Sequence, residues 1–308
     1  MTSSRDTKTA RRILCLGMPV LDMTFRVADV PVRGAKIQAS RLDRICGGNA
    51  PNAAVAIARL GGRARLAGPM GDAGEHGMEF VADQLGPEGI ETQHLVHVAG
   101  AVTPVSTILI DATGERTGIT YRDPMLWSVA LPASDLLLDG VDAILTENRC
   151  ASFVVALCAA ARDRGLAVVV DADRAMSADE PLFQVATHVI FSAEALRATA
   201  GTDDLTGALR RLAGLTNAFL AVTNGDQGVF WLDRDGTAHH TPAFHVQAVD
   251  TLGAGDVFHG AFALAIAEGS DLEPALRFAA AAAALKCSRF GGAFAAPQRS
   301  EVQAFLTR

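Results

Sequence analysis

Lysine is nearly missing from this chain. It stands only at Lys8, Lys36 and Lys286, so the 27 basic residues are almost all arginine, and 34 acidic residues leave a formal net charge of −7. That balance, with a pI near 5.6, argues against a nucleic-acid partner. The five cysteines (Cys15, Cys46, Cys150, Cys158, Cys287) are odd in number, scattered and never spaced Cys-x-x-Cys. They read as reduced, packed thiols rather than a disulfide framework. No apolar run approaches the roughly 18–20 residues that a bilayer span needs, so no membrane partner is expected. Residues 1–12 are polar and lack the apolar core of a signal peptide. We read them as a disordered tail, and the protein as cytoplasmic.

The usual catalytic signatures are absent too. There is no Gly-x-x-x-x-Gly-Lys-Ser/Thr loop, no Gly-x-Gly-x-x-Gly after the first apolar run and no Gly-x-Ser-x-Gly elbow. Without the dinucleotide fingerprint a nicotinamide oxidoreductase has no support. His239-His240 falls on a predicted hairpin, where neighbouring side chains point to opposite faces, so solvated or packed roles are expected rather than metal ligation. For His259, one turn into a helix, we expect packing or a hydrogen bond.

What is present is a large apolar complement, 49% of the chain against 20% charged, enough for a well-buried core. The chain is organised around the stretch from Val249 to Gly260. An extended run ends at Val249, and a helical pattern (Val257, Phe258, Ala261, Phe262, Leu264, Ala265) begins just after Asp256. Between them Gly253, Ala254 and Gly255 carry almost no side chain, so their N–H groups can approach a ligand at the positive end of the helix they open. Asp256 sets a carboxylate beside this anion site. That pairing suits a base that takes a proton while the N–H groups hold developing negative charge.

Elsewhere the pattern alternates. Ile13–Gly17 reads as a buried strand, with Asp22 following it. Thr24–Val30 with Lys36–Arg44, and Val105–Ile110 with Arg116–Tyr121, read as two extended pairs outside the main core that join into one small sheet. Gly47-Gly48-Asn49-Ala50-Pro51-Asn52 opens a helix to about Leu60, with two amides at its mouth. Arg65–Ala67 reads as a strand, 68–74 as a turn, and Ser270 with Glu273 has capping-box spacing. From about residue 140 strands and helices alternate regularly: strands at 143–145, 167–170, 188–191 and 219–223, helices at 152–162, 194–200 and 205–212. The expected fold is α/β, with a mainly parallel sheet covered on both faces.

Three motifs then carry a resemblance: Gly48-Asn49-x-x-Asn52, Gly71-Asp72-x-Gly74 and Asp250-Thr251-x-Gly253-Ala254-Gly255-Asp256. In this order they resemble the ribokinase-like (PfkB) family of carbohydrate kinases, over nearly the whole chain. The resemblance implies a three-layer kinase domain at 13–298 with lid segments at 23–44 and 103–122. It implies ATP and a small-molecule sugar as substrates, with Mg²⁺ bridging the phosphates. Asp256 would be the base, and the amides of Gly253, Ala254 and Gly255 the anion hole. Asp22, Gly48, Asn49 and Asn52 would hold the sugar, with Glu147 at a further sugar-touching position. Thr223, Gly225, Gly228 and Thr251 would line the nucleotide site. Asp250 and Ser288 lie where many relatives bind a monovalent cation such as K⁺, and a homodimer through the lid is common. The family's Asn-x-x-Glu metal element is degenerate here: Ser192 and Ala195 hold those places, with Glu194 adjacent.

The sugar is less defined. Val20 replaces an Asn of ribokinases, Ile13–Asp22 is similar to ketohexokinase, and Pro242–Pro297 is similar to bacterial sulfofructose kinase. Arg149 suits a sulfonate, phosphate or carboxylate held bidentately. It equally suits a structural pair with Glu147. Thr120 departs from an Asn expected on the lid, and Lys36 is a possible substitute. The leading expectation is a ketose or acidic-sugar kinase. Ribokinase, 2-keto-3-deoxygluconate kinase and nucleoside kinase are the alternatives, the last disfavoured by one Tyr and two Trp. A non-catalytic sugar or nucleotide sensor is the alternative class.

Overall fold

The computed structural model describes residues 10–73, 77–113 and 116–307. The first strand, β1 (Arg12–Leu16), is followed by β2 (Val20–Arg26) and β3 (Arg41–Gly47), then α1 (Asn49–Arg59), β4 (Arg63–Ala73), α2 (Met78–Leu85) and β5 (Glu91–Val102). The strands β6 (Val105–Ile110) and β7 (Arg116–Tyr121) lead to α3 (Ser134–Leu137) and β8 (Ala143–Glu147). Next come α4 (Ala151–Asp163), β9 (Ala167–Ala172), α5 (Pro181–Val185), β10 (His188–Ser192), α6 (Ala193–Ala200), α7 (Leu205–Ala213) and β11 (Phe219–Thr223). A hairpin of β12 (Val229–Leu232) and β13 (Ala238–Thr241) precedes α8 (Ala254–Ala267), α9 (Leu272–Cys287) and α10 (Arg299–Leu306).

The large sheet runs β13-β12-β11-β10-β9-β8-β1-β4-β5. From β5 to β11 every pairing is parallel, and the hairpin adds two antiparallel strands at one edge. Strands buried on both faces explain the continuous apolar runs Ile13–Leu16 and Val168–Val170. One face packs on α1, α8 and α9, the other on α4, α5, α6 and α7. The second sheet, β3-β2-β6-β7, joins the two polar excursions as expected.

Close helix packing sets the site's geometry. A Cβ on Gly260 would lie 2.6 Å from the carbonyl oxygen of Ala53, so α8 and α1 approach at backbone distance. The alanines of α1 and α9 follow the same logic, because small side chains let the helices and sheet come together.

Three expectations need correction, and one strand was not anticipated. Residues 68–73 continue β4 instead of turning, with Gly74 outside the described residues. The twelve-residue edge strand β5 had no strong alternating apolar signal, since most of it is exposed or half-buried. Arg11 and Arg12, expected in the tail, belong to the fold: Arg11 pairs with Asp142 at 2.7 Å and Arg12 begins β1, whereas residues 1–9 lie outside the described ones. Finally, α9 is preceded by Asp271 as its N-cap, without the capping box expected from Ser270.

Candidate active site

The functional side chains gather at the C-terminal ends of the parallel strands, where ligands sit in open α/β sheets. Glu147 closes β8, Asp171 lies near the end of β9 with Asp173 just beyond, and Thr223 closes β11. The start of α1 brings Asn49 and Asn52, and the start of α8 brings Asp256.

These residues meet. Asn52 Nδ2 donates to Asp256 Oδ2 at 2.7 Å, across 204 positions of sequence. Asn49 Nδ2 donates to Asp171 Oδ2 at 2.9 Å and to Asp173 Oδ2 at 3.4 Å. Both amides therefore anchor carboxylates; Asn52 keeps a second N–H hydrogen and each keeps its oxygen for other partners. Arg149 sits on the short helical turn after β8. Its Nε and Nη2 both donate to Asp173 Oδ2, at 3.0 and 2.5 Å, while Glu147 Oε2 lies farther, at 3.6 Å. The pairing considered with Glu147 is thus made mainly with Asp173.

His259 hydrogen-bonds through Nδ1 to Gly255 O at 2.7 Å, and its Nε2 lies 3.5 Å from Asp171 Oδ1 with no hydrogen-bond partner. This is the hydrogen-bonding role expected for it. The adjacent histidines of β13 diverge as the pleat requires. His239 bonds Asp233 and stacks on Trp231, and His240 bonds the carbonyl of Gln227 and stacks on Phe230.

Four acids in one place repel each other, and burial compounds the effect. Burial first, then the neighbouring Asp173 and Asp171 charges, push Glu147 up to about 8. Burial and then Asp171 push Asp256 up to about 7, against the lowering bond from Asn52. Asp171 is also raised by burial, with His259 opposing. Asp22 lies on β2, and burial raises it to about 6 although Ser106 hydrogen-bonds it. An ordinary, fully ionised Asp256 is therefore replaced by one poised near neutrality, because its environment desolvates it.

One cavity adjoins the start of α8, and a smaller space is lined from β2, the start of α1 and the end of β8. A cavity of about 350 Å³ is lined by Thr223, Gly225, Gly228, Thr251, Ala254 and Gly255, together with apolar Val229, Phe244 and Phe258. Gly253 enters α8 with φ 77°, in the left-handed region that favours glycine. A Cβ on Gly255 would meet nothing within 4 Å, so the backbone there faces open space. Gly228, at φ 86°, lies so close to β13 that a Cβ would come within 2.3 Å of Thr241 O. The small space is bounded by Val20, Gly48, Asn49, Arg122, Glu147 and Arg149.

Other expected residues are placed less directly. Asp72 Oδ1 accepts the Gly100 N–H at 2.7 Å, and Gly71 lies too close to Ala101 O for any Cβ, so this pair fastens β5 to β4. Asp250 accepts N–H groups of Leu252, Gly291 and Gly292 at 2.8, 3.2 and 3.0 Å, and Ser288 Oγ donates to Leu285 O. Thr120 bonds Ser106 across the small sheet, and Lys36 is exposed on the irregular connection before β3. Ser192 caps α6 by accepting the Ala195 N–H, and Glu194 is exposed. Among the described residues, no cluster of three His, Cys, Asp or Glu side chains forms a metal cage, and no helix is long and apolar enough to cross a membrane.

Asp171, Asp173, Arg122 and His259 had no assigned part in the chemistry. The signal for the first two was their position at the end of an apolar run, which is where parallel strands present ligands.

Comparison with known proteins agrees with this fold. Residues 10–299 match the model of the pfkB family of carbohydrate kinases. The chain is 28% identical over 301 residues to a Bacillus subtilis ribokinase, covering 96% of this chain and all of that one. A solved Agrobacterium tumefaciens structure, provisionally assigned as a ribokinase, is 36% identical with a TM-score of 0.91, covering 97% and 98% of the two chains. A Xylella fastidiosa fructokinase solved with bound ATP is 25% identical with a TM-score of 0.79, covering 96% and 98%. The large parallel sheet, its flanking helices, the small second sheet and this match together place the chain in the pfkB family of carbohydrate kinases.

Proposed function

We propose that this sugar kinase transfers the γ-phosphoryl group of ATP to a hydroxyl of a ketose or an acidic sugar derivative, with Asp256 as the base. The observation that carries the reading is the position of Asp256. Its carboxylate opens α8 between the 350 Å³ cavity, where Ala254 and Gly255 are bare, and the amide and carboxylate cluster of α1 and β9.

The steps follow from these groups. ATP occupies the larger cavity, its base against the apolar lining and its phosphates along Thr223, Gly225, Gly228 and Thr251. The sugar is held by Asp22, Gly48, Asn49, Asn52 and Glu147, which offer donors and acceptors suited to hydroxyls. As the sugar oxygen attacks the γ-phosphorus, its proton passes to Asp256 and the bond to ADP breaks. Negative charge on the transferring group meets the N–H groups of Gly253, Ala254 and Gly255 and the positive end of α8. A base poised near neutrality matches this task, because it is ionised in an appreciable fraction and still basic enough to take the proton. The expected Asn-x-x-Glu element does not fit Mg²⁺ here, because Ser192 is spent on capping α6 and Glu194 faces solvent. Mg²⁺ would enter with the nucleotide, and no step is assigned to it.

Two guanidiniums, Arg122 and Arg149, line the small sugar-side space, which favours an acidic substituent over a neutral sugar. We also propose a homodimer through the small sheet, where Leu42, Ile119 and Tyr121 are exposed apolar side chains of β3 and β7.

The test is coupled ADP release over neutral, carboxylated, sulfonated and phosphorylated sugars. One acidic sugar should stand out, and Asp256→Asn should lower that turnover by about 10²–10⁴-fold with ATP binding retained. Full activity in the variant would remove Asp256 as base. Turnover of neutral sugars alone would remove the two arginines from the specificity.

A further inference from the structure

The family resemblance brings a monovalent metal ion to the neighbourhood of Asp250 and Ser288, and the residues present do not fit one. Such an ion needs a set of free oxygen ligands, and here they are spent. The Cys287 carbonyl accepts the N–H groups of Val249 and Asp250, at 2.8 and 3.1 Å. The Leu285 carbonyl accepts the Ser288 hydroxyl, and the Lys286 carbonyl accepts the Arg289 N–H at 3.0 Å. Asp250 Oδ1 accepts the Leu252 N–H, and its Oδ2 accepts those of Gly291 and Gly292.

In place of an ion there is an ammonium. Lys286 leaves no surface exposed to solvent, the most buried charged residue of the chain's described part. Its Nζ donates to the Asp250 main-chain oxygen at 2.6 Å and lies 3.2 Å from Asp250 Oδ2. It comes from the last turn of α9, where a cation also meets the negative end of the helix. Burying an ammonium is costly unless it is paired and hydrogen-bonded, and this one is both. The residue it grips, Asp250, begins the loop whose following residues are the bare amides of Gly253, Ala254 and Gly255.

We propose that the Lys286 ammonium is the built-in cation of the phosphoryl-binding loop, doing the work of an exchangeable monovalent ion, so that neither loop order nor turnover depends on potassium. Lys286 acts here as a positioning residue: it fixes the carbonyl and carboxylate of Asp250 and adds a positive charge behind the amides. The effect on turnover rests on the kinase reading above. The effect on the loop's stability does not.

The experiment exchanges the full-length protein into tetramethylammonium chloride, a cation too bulky for the site, and titrates KCl or NaCl at constant ionic strength. ADP release and the thermal midpoint are both followed. Unchanged values in all three salts are expected, whereas a K⁺-specific rise in turnover or in midpoint would reveal a bound ion and overturn the proposal. A Lys286→Ala variant that still melts cooperatively should lose about tenfold or more in kcat in tetramethylammonium and recover with KCl or methylammonium. Undiminished activity, or a loss that no small cation restores, would reduce Lys286 to packing and also overturn it. Should the variant not fold, the salt series on the unaltered protein decides alone. Should no sugar support turnover, the kinase reading fails while the melting series still answers.

Discussion

The hydrogen bond from Asn52 to Asp256 makes a quantitative demand on the pH dependence of turnover. Asp256 is pushed up to about 7, mainly by burial, so its ionised fraction should set the acid limb of kcat/KM. One pH unit below that value only about a tenth of the molecules carry the base in working form. The Asn52 amide donates at 2.7 Å to the carboxylate and opposes the rise. A hydrogen bond to a charged group contributes about 1.5–3 kcal/mol, and one pKa unit corresponds to about 1.4 kcal/mol, so its removal shifts the group by roughly 1–2 units.

Asn52→Leu, close in volume, should therefore move the acid limb from about 7 to roughly 8–9. The assay is kcat/KM for the sugar at saturating ATP, by coupled ADP release across neutral pH. The limb's position is the readout, because loss of a sugar contact would lower the whole profile without displacing it. An unaltered enzyme whose limb lies at the ordinary carboxylate value would refute the desolvation argument. A limb that stays in place in the variant would refute the role given to Asn52.

Two further expectations follow from the same structure. Asp22, Asp256 and Glu147 are raised to about 6, 7 and 8 from ordinary values of 3.8 and 4.5, so over this window the folded protein binds more protons than the unfolded chain. Stability without ligands should then fall as pH rises from about 5 to about 8, by at most about 1.4 kcal/mol per unit for each group, and Glu147→Gln should flatten the curve; a thermal midpoint that climbs over this range would contradict it. Ile119→Asp, on a residue 77% exposed on β7, should yield monomers in sedimentation without altering the fold, and an unchanged sedimentation coefficient would remove the small sheet as the dimer contact.

Much of this was legible in local pattern. Apolar runs identified the strands of the parallel sheet, and glycines around 253–255 marked the helix start that carries Asp256. What local pattern could not supply was the pairing of distant polar groups. Asn52 and Asp256 lie 204 positions apart, and their meeting depends on Gly260 allowing α8 onto the backbone of α1 at Ala53. β5 was missed because an edge strand that is mostly exposed or half-buried, with polar residues and Gly100 interrupting its apolar ones, gives a weak alternation. Lys286 lay in an alanine-rich helix as an ordinary last-turn cation, and its complete burial against Asp250 follows only from the path of the loop.

The same long-range assembly changes the chemistry inferred for the base. Read alone, a carboxylate at a helix N-terminus is stabilised in its ionised form. Here the strand ends of β8 and β9 bring Glu147, Asp171 and Asp173 to the same place, and burial strips water from Glu147, Asp171 and Asp256. Arg149, His259 and the two asparagines offset part of that repulsion, each bonded to or facing one acid of the group. Desolvation and like charge outweigh the helix end, because they act on a carboxylate packed against protein on most sides, whereas a terminus contributes about 0.3–1 kcal/mol at an exposed site. On the proposed reading, the cluster holds Asp256 at about 7, where its carboxylate can take the proton of a sugar hydroxyl.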